Sequence, residues 1–144
     1  MSADPTMSTV SGVAHPKMFD DDDPYLVRLR SIASTFPSSA EKVSHGRPAF
    51  YTTKVFAYYG GSIKVDGVYV QHAHALIVLP DSADRRALIE EDRVFVPAYL
   101  GPSGWIGIDL DDDGTDWDEV GELLDASFRL TAPKRLIHEL DSRS

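Results

Sequence analysis

Residues 95–140 constrain the fold more than any other part of the chain: FVPAYLGPSGWIGIDL, an acidic run, then DWDEVGELLDASFRLTAPKRLIHEL. They read as a strand, a tight turn at Gly101-Pro102-Ser103-Gly104, a second strand, an acidic loop and two helices. Asp116, with Glu119 three residues later, forms the pattern of a capping box. Trp117, Val120, Leu123, Leu124 and Phe128 then recur as one apolar stripe. Pro133 opens the last helix, which buries Leu136, Ile137 and Leu140. Strands that meet through a short turn pair antiparallel, so these helices must lie against a sheet of hairpins rather than thread between parallel strands.

The upstream half repeats this logic. The run Asp20-Asp21-Asp22-Asp23 before Pro24 supplies a helix cap and negative charge at a helix N-terminus. Tyr25, Leu26, Leu29, Ile32, Ala33 and Phe36 carry the helix over residues 24–35, and Pro37 ends it. Residues 41–59 are rich in aromatic and β-branched side chains and punctuated by Gly46 and Pro48, which predicts two strands meeting at a hairpin, with Gly60-Gly61 closing the second. Asp66-Gly67 between residues 63–65 and 68–70 is a two-residue hairpin signal that reads equally as the tip of a mobile flap. Residues 75–79 form a buried strand. Asp81 and Asp84 start a short helix that runs to about residue 91, and residues 94–99 and 105–110 form the next hairpin.

The expected fold is therefore α+β. It is a two-layer α/β sandwich with an antiparallel sheet of about five strands, helices on one face, and the order α-β-β-β-α-β-β-α-α. At 144 residues the chain suits one domain, expected over residues 20–144, with residues 1–19 as a disordered tail of small and polar residues.

Composition then removes whole classes of chemistry. The chain has no cysteine, which excludes disulfides, thiol catalysis and Cys-containing zinc sites together. The longest apolar run, residues 75–79, has the length of a strand rather than of a bilayer span, so no membrane partner is expected. Without a basic stretch followed by an apolar one near the start, the expected location is the cytoplasm. The net charge of -9 is unevenly spread: residues 109–125 hold nine acids and no base. Residues 24–64 hold six bases and one acid, and residues 126–138 add Arg129, Lys134 and Arg135 with no acid. The molecule is expected to be electrically polarised.

No catalytic constellation survives inspection. The acidic run from Asp109 begins like a calcium loop, but its twelfth position, where a bidentate Glu is needed, is Val120; a strand-to-helix loop is the better reading. His72 and His74, if extended, share one face at a spacing usable for a metal, yet a third ligand is missing. Ser44 and His45 are adjacent and so point opposite ways on a strand. The GPSGW pentapeptide has Trp105 where a nucleophile elbow needs glycine. Phosphate-loop, dinucleotide and HExxH patterns are absent, so no cofactor and no enzymatic activity are expected. Trp105 and Trp117 read as core anchors.

The wording of several segments carries a resemblance: Ser44-His45-Gly46-Arg47-Pro48-Ala49-Phe50, Lys54-Val55-Phe56-Ala57, Pro97-Ala98-Tyr99-Leu100-Gly101 and Gly104-Trp105-Ile106-Gly107-Ile108. To these add Asp116-Trp117 through Leu123-Leu124, Ser127-Phe128-Arg129-Leu130 and Ala132-Pro133-Lys134. In these residues the chain resembles the MmcQ/YjbR family, small bacterial proteins described by a "double wing" DNA-binding motif. The resemblance spans residues 24–140 and implies a two-layer α/β fold with paired hairpin wings and an association with DNA. The long segment over residues 60–74 and the dense acidic loop set this chain apart from shorter members.

A DNA-binding role needs cations that reach phosphates, and Arg47, Lys54, Lys64, Arg129, Lys134 and Arg135 are the candidates. Tyr51, Tyr58, Tyr59 and Tyr69 would stack on bases. For so acidic a chain the binding is expected to be weak and salt-sensitive. For Arg129 the competing reading is a structural pair with a carboxylate. The alternative function is a small-molecule or protein interaction module, with the ligand held beside the sheet by His45, Arg47, Tyr58 and Trp105.

Overall fold

The computed structural model describes residues 16–111 and 113–143. The chain runs α1 (Pro24–Ala33), β1 (Ala40–Ser44), β2 (Arg47–Tyr51), β3 (Val55–Val65), β4 (Val68–Val78), α2 (Ser82–Leu88), β5 (Val94–Phe95), β6 (Ile106–Asp109), α3 (Trp117–Thr131) and α4 (Lys134–Asp141). All six strands form one open sheet, in the order β1-β2-β3-β4-β6-β5. Every pairing in it is antiparallel. This is the expected α+β architecture, with one strand more than the sequence suggested.

The helix starts follow from single residues. Asp23 precedes Pro24 and accepts the backbone N–H of Tyr25 at 3.0 Å. Asp81 accepts the N–H of Asp84 at 2.8 Å. Asp116 accepts from Asp118 and Glu119 at 3.0 and 3.3 Å, satisfying two of the donors that every helix N-terminus leaves unpaired. The Glu119 carboxylate does not turn back to close a capping box; it pairs with Arg93 at 2.8 Å.

Alternation along the strands divides the sheet into two faces. Phe50, Ala57, Tyr59, Leu76, Val78, Ile106 and Ile108 join Leu26 and Leu29 of α1, Val120, Leu124 and Phe128 of α3 and Leu136 of α4 in one buried cluster. Its centre is aromatic: the Phe128 ring stacks on Phe36 at 5.1 Å and meets Phe56 edge-on at 5.4 Å. Ser127 ties the layers together. Its hydroxyl donates to the Phe56 carbonyl at 2.6 Å and accepts the Leu79 N–H at 3.0 Å.

Among the described residues no α-helix lies on the opposite face. Ala49, Tyr58, Ile77 and Gly107 occupy paired positions there. Residues 95–105 cover them, with the Phe95 ring lying where a Gly107 side chain would be and reaching Gly61. The Trp105 ring meets Tyr58 at 5.5 Å. This segment corrects two expectations. Residues 94–99 and 105–110 do not make a tight hairpin, because β5 is two residues long and the chain then leaves the sheet to form the cover. Trp105 and Trp117 are half-buried at the margins of the fold rather than in its centre, Trp117 lying under the Arg28 guanidinium at 4.8 Å.

Gly60-Gly61 does not end a strand either. β3 runs through both glycines for eleven residues, and residues 68–70 and 75–79 belong to one strand, β4. The register jumps between Tyr59↔Leu76 and Gly61↔His72, so β4 bulges over residues 73–75 opposite Gly60. Beyond it the paired ends of β3 and β4 form a wing that turns at Asp66-Gly67, with φ 51° and 81° as a two-residue hairpin loop requires. Of the expected N-terminal tail, residues 1–15 lie outside the described residues. Met18 docks through its N–H on the Gly46 carbonyl at 2.8 Å, and Phe19 packs against the core.

Candidate ligand pocket

The β1–β2 turn, the root of the wing and residues 97–100 enclose a cavity of about 680 Å³, a size that suits an organic small molecule. His45 and Gly46 form the turn, with φ 51° and 83°, which sends the chain straight back and sets Arg47 at the first position of β2. Arg47 lies across Gly60, where any side chain would collide with its guanidinium. It donates a hydrogen bond to the Gln71 side-chain carbonyl on β4. Burial holds its guanidinium below the ordinary arginine range.

Among the described residues no carboxylate pairs with Arg47. By contrast Arg30 holds Asp21 and Glu41, Arg93 holds Glu91 and Glu119, and Arg129 holds Asp125 and Asp141. Among the described residues no acidic side chain lines the cavity, in a chain with 23 Asp and Glu residues. Its remaining wall is aromatic and apolar. Burial raises the Tyr58 phenol. The Tyr69 and Tyr99 rings stack at 5.9 Å with their hydroxyls hydrogen-bonded, and Lys64 sits 5.5 Å from the Tyr69 ring centre. Tyr99 is 80% exposed yet held at φ 67°, a left-handed backbone that a tyrosine seldom adopts.

The sequence candidates thus part company. His45, Arg47 and Tyr58 line the cavity together, and Trp105 stands behind Tyr58 as its support. Lys64 joins them only through Tyr69. Lys54 lies in the turn between β2 and β3, at the far end of β2 from Arg47. Lys134 and Arg135 open α4 in the helical layer. Arg129 is committed to Asp125 and Asp141 at 2.6 and 2.8 Å, the structural pair that the sequence allowed. Gln71, Tyr99 and Leu100 were not anticipated, since only long-range pairing brings them to the cavity. The left-handed Tyr99 has no sequence signal of its own.

His72 and His74 do not share a face, because the bulge in β4 falls between their neighbours. His72 stacks on Phe95 at 4.0 Å and meets Asp109 at 2.8 Å. His74 contacts both Asp23 and the Tyr59 hydroxyl at 2.9 Å, beside a shallower cleft of about 610 Å³ at the start of α1. Among the described residues no group of three or more His, Cys, Asp or Glu side chains is placed to hold a metal ion. The acidic loop serves local structure, with Asp111 accepting the Gly114 N–H and Asp116 capping α3. None of the described helices is long and apolar enough to cross a membrane.

An open antiparallel sheet with helices on one face, a long hairpin wing and a covered second face defines a small winged α+β protein. The YjbR family model matches residues 34–130, and the chain belongs to that family. No curated protein and no solved structure matches it.

Proposed function

We propose that this protein is a non-enzymatic binding module whose cavity at the root of the wing takes a small organic anion. The observation that carries this reading is Arg47: a half-buried guanidinium that donates to the Gln71 amide, has no carboxylate partner among the described residues, and faces a cavity with no acidic side chain among the described residues that line it. A cation withdrawn from water and left without a counter-charge is costly to a fold, and an incoming carboxylate or phosphate supplies the missing partner in the forked geometry that guanidinium favours. His45 and Tyr58 add polar contacts at the same wall.

The test is a thermal-shift and calorimetric screen of organic acids and phosphate esters against the full chain and Arg47→Met. A ligand of the native state raises its melting temperature. Loss of the guanidinium is expected to weaken any such anion by about 30-fold or more. Hits that bind Arg47→Met equally well would remove the basis of the reading.

A second reading, polyanion binding on the wing, is favoured by Lys64 lying beside the exposed Tyr69 and Tyr99 rings. It predicts binding of labelled single-stranded or duplex DNA at low salt. Its weakness is that Lys54, Lys134 and Arg135 lie on other parts of the molecule. No binding even at low salt excludes it.

A further inference from the structure

Resting on the reading of the cavity as an anion site, we infer that the anionic group is carried on a flat aromatic ring, and that Tyr99 selects for that ring. Three features of the cavity lead there independently. Its floor is low, because Gly60 and Gly61 follow one another on β3 without side chains and the planar Arg47 guanidinium lies across Gly60. At Gly61 a methyl group would come within 2.9 Å of Ile77 Cδ1, the end of the Ile77 side chain. A flat floor favours a flat ligand.

The wall is the second feature. Tyr58, Tyr69 and Tyr99 all line the cavity, and aromatic faces reward a stacked ring beyond the area it buries. The phenols of Tyr58 and Tyr99 are both pushed above their usual range, Tyr58 by burial and Tyr99 by its hydrogen bond to Tyr69. They therefore remain neutral near pH 7 and do not repel an anion.

The third feature is how Tyr99 is held. A tyrosine at φ 67° is strained, and strain of this kind persists only where the surroundings impose it. Here the Ala98 N–H is bound to the Ser62 carbonyl at 2.8 Å, the Leu100 N–H to Ala98 at 2.8 Å and the Gly101 N–H to Pro97 at 2.9 Å. The first ties the segment to β3, the other two close residues 97–101 on themselves, and the Tyr69 hydroxyl fixes the far end of the ring. An 80% exposed side chain gains little stability from so much restraint, and the restraint instead keeps a ring standing at the mouth of the cavity.

The experiment compares flat and saturated forms of one skeleton by calorimetry on the full chain: 2-naphthoate against decahydro-2-naphthoate, and 2-naphthyl phosphate against decahydro-2-naphthyl phosphate. In at least one pair the aromatic member is expected to bind about 3- to 10-fold tighter. The pair that binds names the anionic group. Tyr99→Leu is expected to abolish the preference, the aromatic member losing more affinity than the saturated one, and Tyr99→Phe to retain it. Because Tyr99 is exposed, both variants should fold, which circular dichroism checks. Equal binding of flat and saturated members, or a preference that survives Tyr99→Leu, overturns the inference and leaves the anion site standing. Failure of every probe to bind, with Arg47 intact, overturns both.

Discussion

Arg47 and Tyr59 are both polar groups taken out of water, and their different company separates function from structure. Tyr59 is satisfied: its hydroxyl is bound to Asp23 and lies 2.9 Å from His74, fixing the start of α1 to the middle of β4. Among the described residues Arg47 is bound to Gln71 and to no carboxylate, so its charge is left to the cavity. The Tyr59 phenol is held well above its ordinary value of 10.0, first by burial and then by Asp23. A group whose folded pKa lies above its unfolded one adds stability that is fully present below the unfolded pKa. That stability is lost as pH rises through the interval above it. Denaturation should therefore show stability falling above pH ~10, with a slope of up to about 1.4 kcal/mol per pH unit for this one proton. Tyr58, also raised by burial, adds to the same fall. Tyr59→Phe should flatten the fall by one proton's worth and lose about 1 kcal/mol at neutral pH, where Asp23 and His74 are left without the hydroxyl. An unchanged slope between pH 9 and 11 in the variant would refute the assignment.

At the scale of elements, α3 is held to the sheet by more than its apolar stripe. Ser127 bridges the Phe56 carbonyl and the Leu79 N–H, so one side chain fixes the helix against both β3 and the end of β4. Ser127→Ala leaves two backbone groups without that partner and should destabilise the protein by about 2 kcal/mol, measured by urea denaturation. A loss indistinguishable from zero would mean that water takes over both bonds. Nothing local announces this role, since a serine inside an amphipathic helix reads as an ordinary neutral residue. The caps, by contrast, were legible: Asp23, Asp81 and Asp116 each act within three residues of their own position. So was the wing tip, because Asp66-Gly67 demands the φ it adopts. Gly60-Gly61 was misread for a physical reason. A glycine pair ends a strand or bulges it with equal ease, and only pairing with β4, ten or more residues away, decides. The cover over Gly107 was hidden likewise, since it depends on Phe95 meeting a strand that follows it by a dozen residues. The pocket was half legible on the same grounds: His45, Arg47 and Tyr58 belong to the sheet that patterning revealed, whereas Tyr99 and Gln71 reach it through the cover and the bulge.

Over the whole molecule, a net charge of -9 coexists with a cavity wall that carries no acid among the described residues. Of the nine acids on residues 109–125, Glu119 pairs with Arg93 and Asp125 with Arg129, while Asp109 lies 2.8 Å from His72. What is left over still repels itself and repels any polyanion as a body, while a small anion meets Arg47 at short range in a partly dry cavity. Salt tests these two scales in opposite directions. Screening weakens repulsion among exposed charges, so the melting temperature should rise as sodium chloride goes from about 20 to 500 mM. Binding at Arg47, one charge on one charge, should weaken by less than about 10-fold between 50 and 200 mM salt, because burial shields the pair from the ionic atmosphere. Engagement of about five phosphates along a nucleic acid would instead lose a factor on the order of 500 over the same range, through counterion release. Calorimetry of an aryl anion and anisotropy of labelled DNA, run on the same protein across that salt series, therefore separate a pocket from a polyelectrolyte surface. A shallow salt slope for the small anion that vanishes with Arg47→Met assigns the charge to the pocket. A steep one shared with DNA would assign it to the wing.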